Sequence, residues 1–307
     1  MALSKLYQDK LAELKSSYDT LKQEKSALLA ILDQAEVPES VYNSNAIENS
    51  TLTLKETEKI LLEQELSRDV SLREVYEAKN LARVVDYTRK KASEEDLSKE
   101  LVLLVHQMLI GGIDDDIAGR FRKKGEYVRV GAYVASPPEN VERLIEGILI
   151  NYSSDHVAYF IDKIAKFHLE FERIHPFCDG NGRIGRVITN FQLLRLGFPR
   201  IIIRDKEKAD YYKAFEEYQS SKNVKLMEKA IALALIESLN KRISYLEGGE
   251  LVNLSDYVRN NSLNAPAVFN AALRQSIPAF RERGVWKIAS EYKFMDQKGP
   301  NLKHLNG

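Results

Sequence analysis

The chain has 307 residues, 44% hydrophobic and 29% charged, with Lys plus Arg and Asp plus Glu at 45 each. That is ordinary for a globular chain, and the charge balance excludes a global electrostatic bias toward nucleic acid or membrane. The single cysteine, Cys178, excludes an intrachain disulfide. No apolar run reaches the roughly eighteen residues of a membrane span, and the N-terminal stretch lacks a signal-peptide core, so a cytoplasmic location is expected.

In chain order, Tyr7, Leu11, Leu14, Tyr18, Leu21, Leu28 and Leu32 recur at helical spacing and predict one long helix over residues 3–33, interrupted in pattern by Lys25. Its stripe suits either a coiled-coil seam in a homodimer or packing on the protein's own body. "VPES" breaks the pattern at Pro38, and a short helical segment carries "SNAIEN" (residues 44–49). Helix is expected again from 51 to about 88 and through "LSKELVLLVHQMLI". In "GEYVRVGAYVASPP", the strand formers Val128, Val130, Tyr133 and Val134 flank Gly131, predicting a small β-hairpin. "ENVERLIEGILINY" resumes helix. The following segment places Val157, Phe160, Ile161, Ile164, Phe167, Phe171 and Ile174 on one buried face. Further helices follow, then a linker at "EGGE". The last unit is expected to be two short helices and a hairpin turning at Arg283-Gly284, the outline of a winged helix-turn-helix.

The chemistry concentrates in "HPFCDGNGRIGR", residues 175–186. Pro176 stops the preceding helix, leaving His175 at a helix end facing a loop. Gly180, Asn181 and Gly182 allow a loop whose N–H groups converge on an anion, and the helix beginning near Arg183 adds its positive dipole end. Arg183 and Arg186 lie on roughly one side of that helix and carry planar donor forks. Asp179 offers the single carboxylate that phosphate-bound Mg²⁺ usually takes from a protein. His175 has the unperturbed pKa closest to neutrality and is the natural general base. These parts describe phosphoryl or nucleotidyl transfer. The Gly-Lys-Ser/Thr end of a Walker loop is absent.

The stretch resembles the Fic family signature His-Pro-Phe-x-Asp/Glu-Gly-Asn-Gly-Arg-x-x-Arg at every specified position, and the likeness extends from about residue 44 to 239. It implies an all-α Fic core with a β-hairpin flap, and transfer of AMP from ATP to a Ser, Thr or Tyr hydroxyl of a target protein, with self-modification included. In that reading His175 is the base, Asp179 holds Mg²⁺, Gly180, Asn181, Gly182 and Arg183 bind phosphate, and Arg186 clamps the γ-phosphate. The resemblance also implies that the flap positions a target segment by strand pairing beside the active site, where its residues Val130, Gly131, Ala132 and Tyr133 border the site. Tyr211 and Tyr212 border adenine or simply pack. Phe177 is a buried anchor and Cys178 a filler. "SNAIEN" resembles the family's inhibitory pattern, with Ser44, Glu48 and Asn49 at the specified places, and so implies autoinhibition from the N-terminal side, in which the Glu48 carboxylate would pair with Arg186 and divert it from the γ-phosphate.

The division expected is an N-terminal helical arm over 1–100, a catalytic core over 101–246 and a winged-helix-like unit over 250–295. His168 and His106 are read as packing histidines rather than metal ligands. Two alternatives remain open: removal of AMP from a modified protein, with Glu48 positioning water, and a DNA-binding regulator contacting phosphate through Arg274, Arg281, Arg283 and Lys287.

Overall fold

The computed structural model describes residues 3–65, 70–131 and 133–294. The first expected helix is two, α1 (Lys5–Leu21) and α2 (Ser26–Ala35). Glu24 turns the chain between them with φ 62°, and Lys25 ties the corner to the Leu246 carbonyl at 2.5 Å. Leu11 and Tyr18 are buried in one cluster with Ile231, Leu235 and Leu239, so the stripe is spent within the chain.

Pro38 sits in the first turn of α3 (Val37–Ile47), where its missing N–H breaks no helical bond. The helix expected from 51 onward divides. A capping box of Thr53 and Glu56 opens α4 (Leu54–Glu58), and a π-helical turn (Lys59–Glu63) ends at Gln64 in left-handed conformation. Ser71 then caps α5 (Leu72–Lys91). Ser98 caps α6 (Lys99–Ile110).

The hairpin comprises β1 (Arg129–Val130) and β2 (Tyr133–Val134), paired antiparallel. Helices α7 (Val141–Ser154), α8 (Phe160–Ile174), α9 (Asn181–Arg195), α10 (Lys208–Ser221) and α11 (Lys225–Glu247) complete the body. Val157, expected on the buried face of α8, precedes that helix and is 97% exposed. The face itself is buried as expected, from Ile161 to Ile174. One core joins α5 to α9, with Phe171, Phe177 and Phe191 inside it. The second fills the space between α1, α8, α10 and α11. No helix among the described residues is long and apolar enough to cross a membrane.

The C-terminal unit contains β3 (Leu251–Asn253), α12 (Leu254–Asn260), α13 (Ala265–Leu273), β4 (Phe280–Glu282) and β5 (Val285–Ala289), with strand order β3-β5-β4. The hairpin turns at Arg283 and Gly284, both with positive φ. Leu254, Val268, Ala272 and Ile288 form its separate core. The hairpin faces the body rather than solvent. Arg281 pairs with Glu237 and Glu207 at 2.5 and 2.7 Å. The N–H groups of Arg283 and Gly284 donate to the Glu39 carboxylate of α3. Lys287 is paired with Glu282. Of the cations expected to face DNA, Arg281 is thus turned inward.

Candidate active site

The site starts where α8 stops. His175 takes the left-handed conformation at φ 53° and caps the helix through its N–H to the Phe171 carbonyl at 2.9 Å. Its Nδ1 lies 3.3 Å from the Glu172 carbonyl, the position of a donated hydrogen bond, which leaves Nε2 as the basic nitrogen. Burial pushes its pKa down to about 4, so it is neutral at pH 7.

The loop after His175 is braced from within. Phe177 is fully buried and stacks on His106 at 3.6 Å with an interplanar angle of 4°. Asn181 returns both of its amide groups to Phe177, accepting from N–H and donating to C=O at 2.9 Å each. Its side chain therefore shapes the anion cradle instead of reaching into it. Gly180 adopts φ 79° as N-cap of α9, a conformation that costs glycine least.

His106 does more than pack. Its Nδ1 accepts the Gly119 N–H at 3.0 Å, which leaves Nε2 to donate to the Asp179 carbonyl at 3.1 Å. Burial pushes its pKa down to about 4 and keeps that arrangement neutral. His168 is a core histidine: Nε2 lies 2.6 Å from the Tyr211 hydroxyl, and burial pushes its pKa to about 3.

The charged groups converge on the start of α9. Asp179 meets Arg73 of α5 at 2.5 Å and Arg183 at 3.2 Å. Arg183 also reaches Glu77, one helical turn beyond Arg73, at 3.2 Å. Arg186 donates from Nε to Ser44 Oγ at 2.9 Å, and from Nη2 to the Ser44 carbonyl and Glu48 Oε1 at 2.8 Å each. Glu48 lies directly over Gly182: a Cβ there would come within 2.2 Å of Glu48 Oε1 and 3.1 Å of Arg186 Nη1. Any side chain at 182 would exclude the carboxylate.

Asn49, at φ 68°, accepts from Lys208 at 2.8 Å. Nearby, the buried Glu172 carboxyl has its pKa pushed up to about 8 by burial and then by Glu48.

The structure thus assembles His175, Asp179, Gly180, Asn181, Gly182, Arg183 and Arg186 with Ser44, Glu48 and Asn49. Tyr211, expected either to border adenine or to pack, is packed in the core. It is 3% exposed and lies behind Arg186, bonded to His168. Tyr212 donates to the Ile47 carbonyl at 3.1 Å, supporting the end of α3. In the flap, Val130 and Tyr133 are half-buried and Gly131 is exposed at the tip, while Ala132 lies outside the described residues. Cys178 is a free thiol whose pKa is raised by burial and by Glu126, consistent with a filler rather than a nucleophile.

Sequence reasoning missed Arg73 and Glu77. Their i,i+4 spacing was visible, but nothing local links them to a loop a hundred residues away.

Among the described residues no group of three or more His, Cys, Asp or Glu could hold a metal. A metal held largely by phosphates asks less of the protein, and Asp179, partly open beside a helix N-terminus, suits that single-carboxylate demand.

Residues 96–193 match the model of the Fic/DOC family. The chain carries a Fic domain. It is 31% identical over 176 residues to a protein adenylyltransferase Fic of Nematostella vectensis, covering 56% of this chain and 41% of that one. It is also 31% identical over 178 residues to protein adenylyltransferase fic-1 of Caenorhabditis elegans, covering 56% and 34%. The aligned region spans about two fifths of the first relative and one third of the second. The fold matches a Fic domain-containing signaling protein of Bacteroides thetaiotaomicron with TM-score 0.70 and 24% identity, over 78% of this chain and 98% of that one. A Fic family protein of Desulfovibrio desulfuricans matches with TM-score 0.61 and 20% identity, over 93% and 97%. The Fic fold expected from the sequence, a helical core with a small β-hairpin flap, is the fold of this chain.

Proposed function

We propose that this protein is an autoinhibited protein adenylyltransferase, moving AMP from ATP to a hydroxyl side chain of a protein. The observation that carries the reading is the grip of Ser44 and Glu48 on Arg186 beside a neutral His175. The names of the curated relatives support the same chemistry.

His175 Nε2 takes the proton of the acceptor hydroxyl as its oxygen bonds to the α-phosphorus. The bond from that phosphorus to the bridging oxygen breaks, and pyrophosphate leaves. The N–H groups at the start of α9 and the Arg183 and Arg186 guanidiniums are suited to hold phosphate oxygens. Asp179 would hold Mg²⁺, which neutralises phosphate charge when bound. With Glu48 on Arg186, the γ-phosphate loses its clamp and meets a carboxylate, so the triphosphate is misaligned for attack.

Intact-mass measurement of the full chain after incubation with ATP and Mg²⁺ tests this. Arg186 must leave Glu48 before it can take the γ-phosphate, and each 1.4 kcal/mol spent on that release is roughly tenfold in rate. Glu48→Gly should therefore add AMP to itself or to a target at least about ten times faster than the unaltered chain. An unchanged or lower forward rate would remove autoinhibition and favour AMP removal with Glu48 positioning water.

A further inference from the structure

Arg122 lies between α6 and the flap and is 3% exposed. Its guanidinium donates from Nε to the His175 carbonyl at 2.8 Å and from Nη2 to the Ile174 carbonyl at 3.2 Å. Nη2 also reaches the Ser136 carbonyl at 2.6 Å, and Nη1 the Glu126 carbonyl at 2.9 Å. The Arg122 N–H donates to the Pro176 carbonyl at 3.0 Å.

These partners fall into two groups. Ile174 and His175 end α8, where carbonyls lack helical partners and carry the negative end of the dipole. Glu126 precedes β1 and Ser136 follows β2, so they stand on the two legs of the flap, which Ala135 and Val128 close with a backbone bond of 2.9 Å. One planar cation therefore spans both legs of the hairpin and the residue that bears the base. An ammonium on a flexible stem has no fork with which to hold the two groups at a set spacing.

We propose that Arg122 is a positioning residue that sets the flap's distance from His175 and thereby favours a protein hydroxyl over water as the acceptor of AMP. The acceptor half rests on the adenylyl-transfer reading above. A protein hydroxyl held by the flap must meet His175 Nε2 and the α-phosphorus together, and a misplacement of about 1 Å can cost as much as about 10²-fold in rate. Water undergoes the same bond changes, losing its proton to His175 and displacing pyrophosphate to give free AMP, but it needs no flap.

The test uses full-length Glu48→Gly with and without Arg122→Lys or Arg122→Gln. Hydrogen exchange reports the flap without reference to chemistry. The Ala135 amide should exchange faster in both Arg122 variants, while amides inside α6 keep their protection. At saturating ATP and Mg²⁺, the ratio of protein-bound to free AMP should fall by about tenfold or more. Unchanged flap exchange in a folded Arg122→Lys would overturn the proposal. So would a parallel fall of both products with the ratio constant, which marks a merely structural role. If Glu48→Gly neither labels protein nor hydrolyses ATP, the adenylyl-transfer reading fails, and exchange at Ala135 still decides whether Arg122 places the flap.

Discussion

At the scale of single residues, the environment of His175 makes a statement about pH. Burial lowers its pKa to about 4, because charging a ring held among α8, the loop and Arg122 costs hydration. The neutral form is the base, so the base is fully available at pH 6 as well as at pH 8. For Glu48→Gly, kcat/KM for ATP should stay flat as pH falls from 8 to 6 and decline only below about 5, since that parameter reports the free enzyme's essential groups. An acid limb centred near 6.5, the ordinary histidine value, would show that His175 is not the desolvated base. His175→Ala should lower transfer by about 10²–10⁴-fold while nucleotide affinity, measured by titration with labelled ATP, is retained. Transfer at the unaltered rate would remove the assignment.

The element that matters most is α3. It carries Ser44 on its last turn and Glu48 as its C-cap, and it is held along its length by neighbours. Asn43 accepts the Asp205 N–H at 3.0 Å, and Tyr212 donates to the Ile47 carbonyl. The inhibitory group is therefore delivered by a fixed helix rather than by a loose loop. Because Glu48 and Arg186 act as a pair, their substitutions should not be additive. Glu48→Gly with Arg186→Ala should lose most of the gain of Glu48→Gly alone, since the released clamp no longer exists. Retention of the full gain would mean that Arg186 is not what Glu48 restrains. Ser44→Ala should raise the initial rate less than Glu48→Gly does, because the Ser44 carbonyl and Glu48 still hold Arg186.

At the scale of the whole molecule, a buried ionic seam joins the C-terminal unit to α3 and α11. Arg204 bridges Glu39 and Glu237, while Arg281 meets Glu237 from the hairpin side. Glu36 receives Lys241 and Arg242 at 2.9 and 2.6 Å. Breaking a buried pair from one side leaves an uncompensated charge and typically costs about 3–5 kcal/mol. Arg281→Ala should therefore lower unfolding stability by roughly that amount in denaturant titration, whereas the exposed Arg259→Ala should stay within about 0.5 kcal/mol. The effect of Arg281 belongs to the melting curve. Loss of duplex affinity at low salt, with stability unchanged, would instead place it on a nucleic-acid surface.

What the sequence determined by itself is mostly local. The helix stop at Pro176, the turn at Gly180 and the hairpin around Gly131 follow from short-range backbone chemistry, and the structure contains each of them; the next helix begins at Asn181, two residues before Arg183, so Asn181 and Gly182 lie in its first turn and not in the loop. The break near Lys25 showed in the sequence only as one interruption of the apolar spacing, and the π turn at Lys59–Glu63 did not show at all, because packing neighbours decide where a helix yields. The partnership of Glu48 with Arg186 was legible through family resemblance alone. The residues are 138 positions apart, and no propensity aims one at the other. Tertiary structure also decided that Tyr211 is core, that His106 supports Phe177 and Asp179, that Arg73 reaches Asp179, and that Arg122 holds the flap to α8. Each depends on burial or on a charge brought in from a distant segment, and those terms exist only once the chain has folded back on itself.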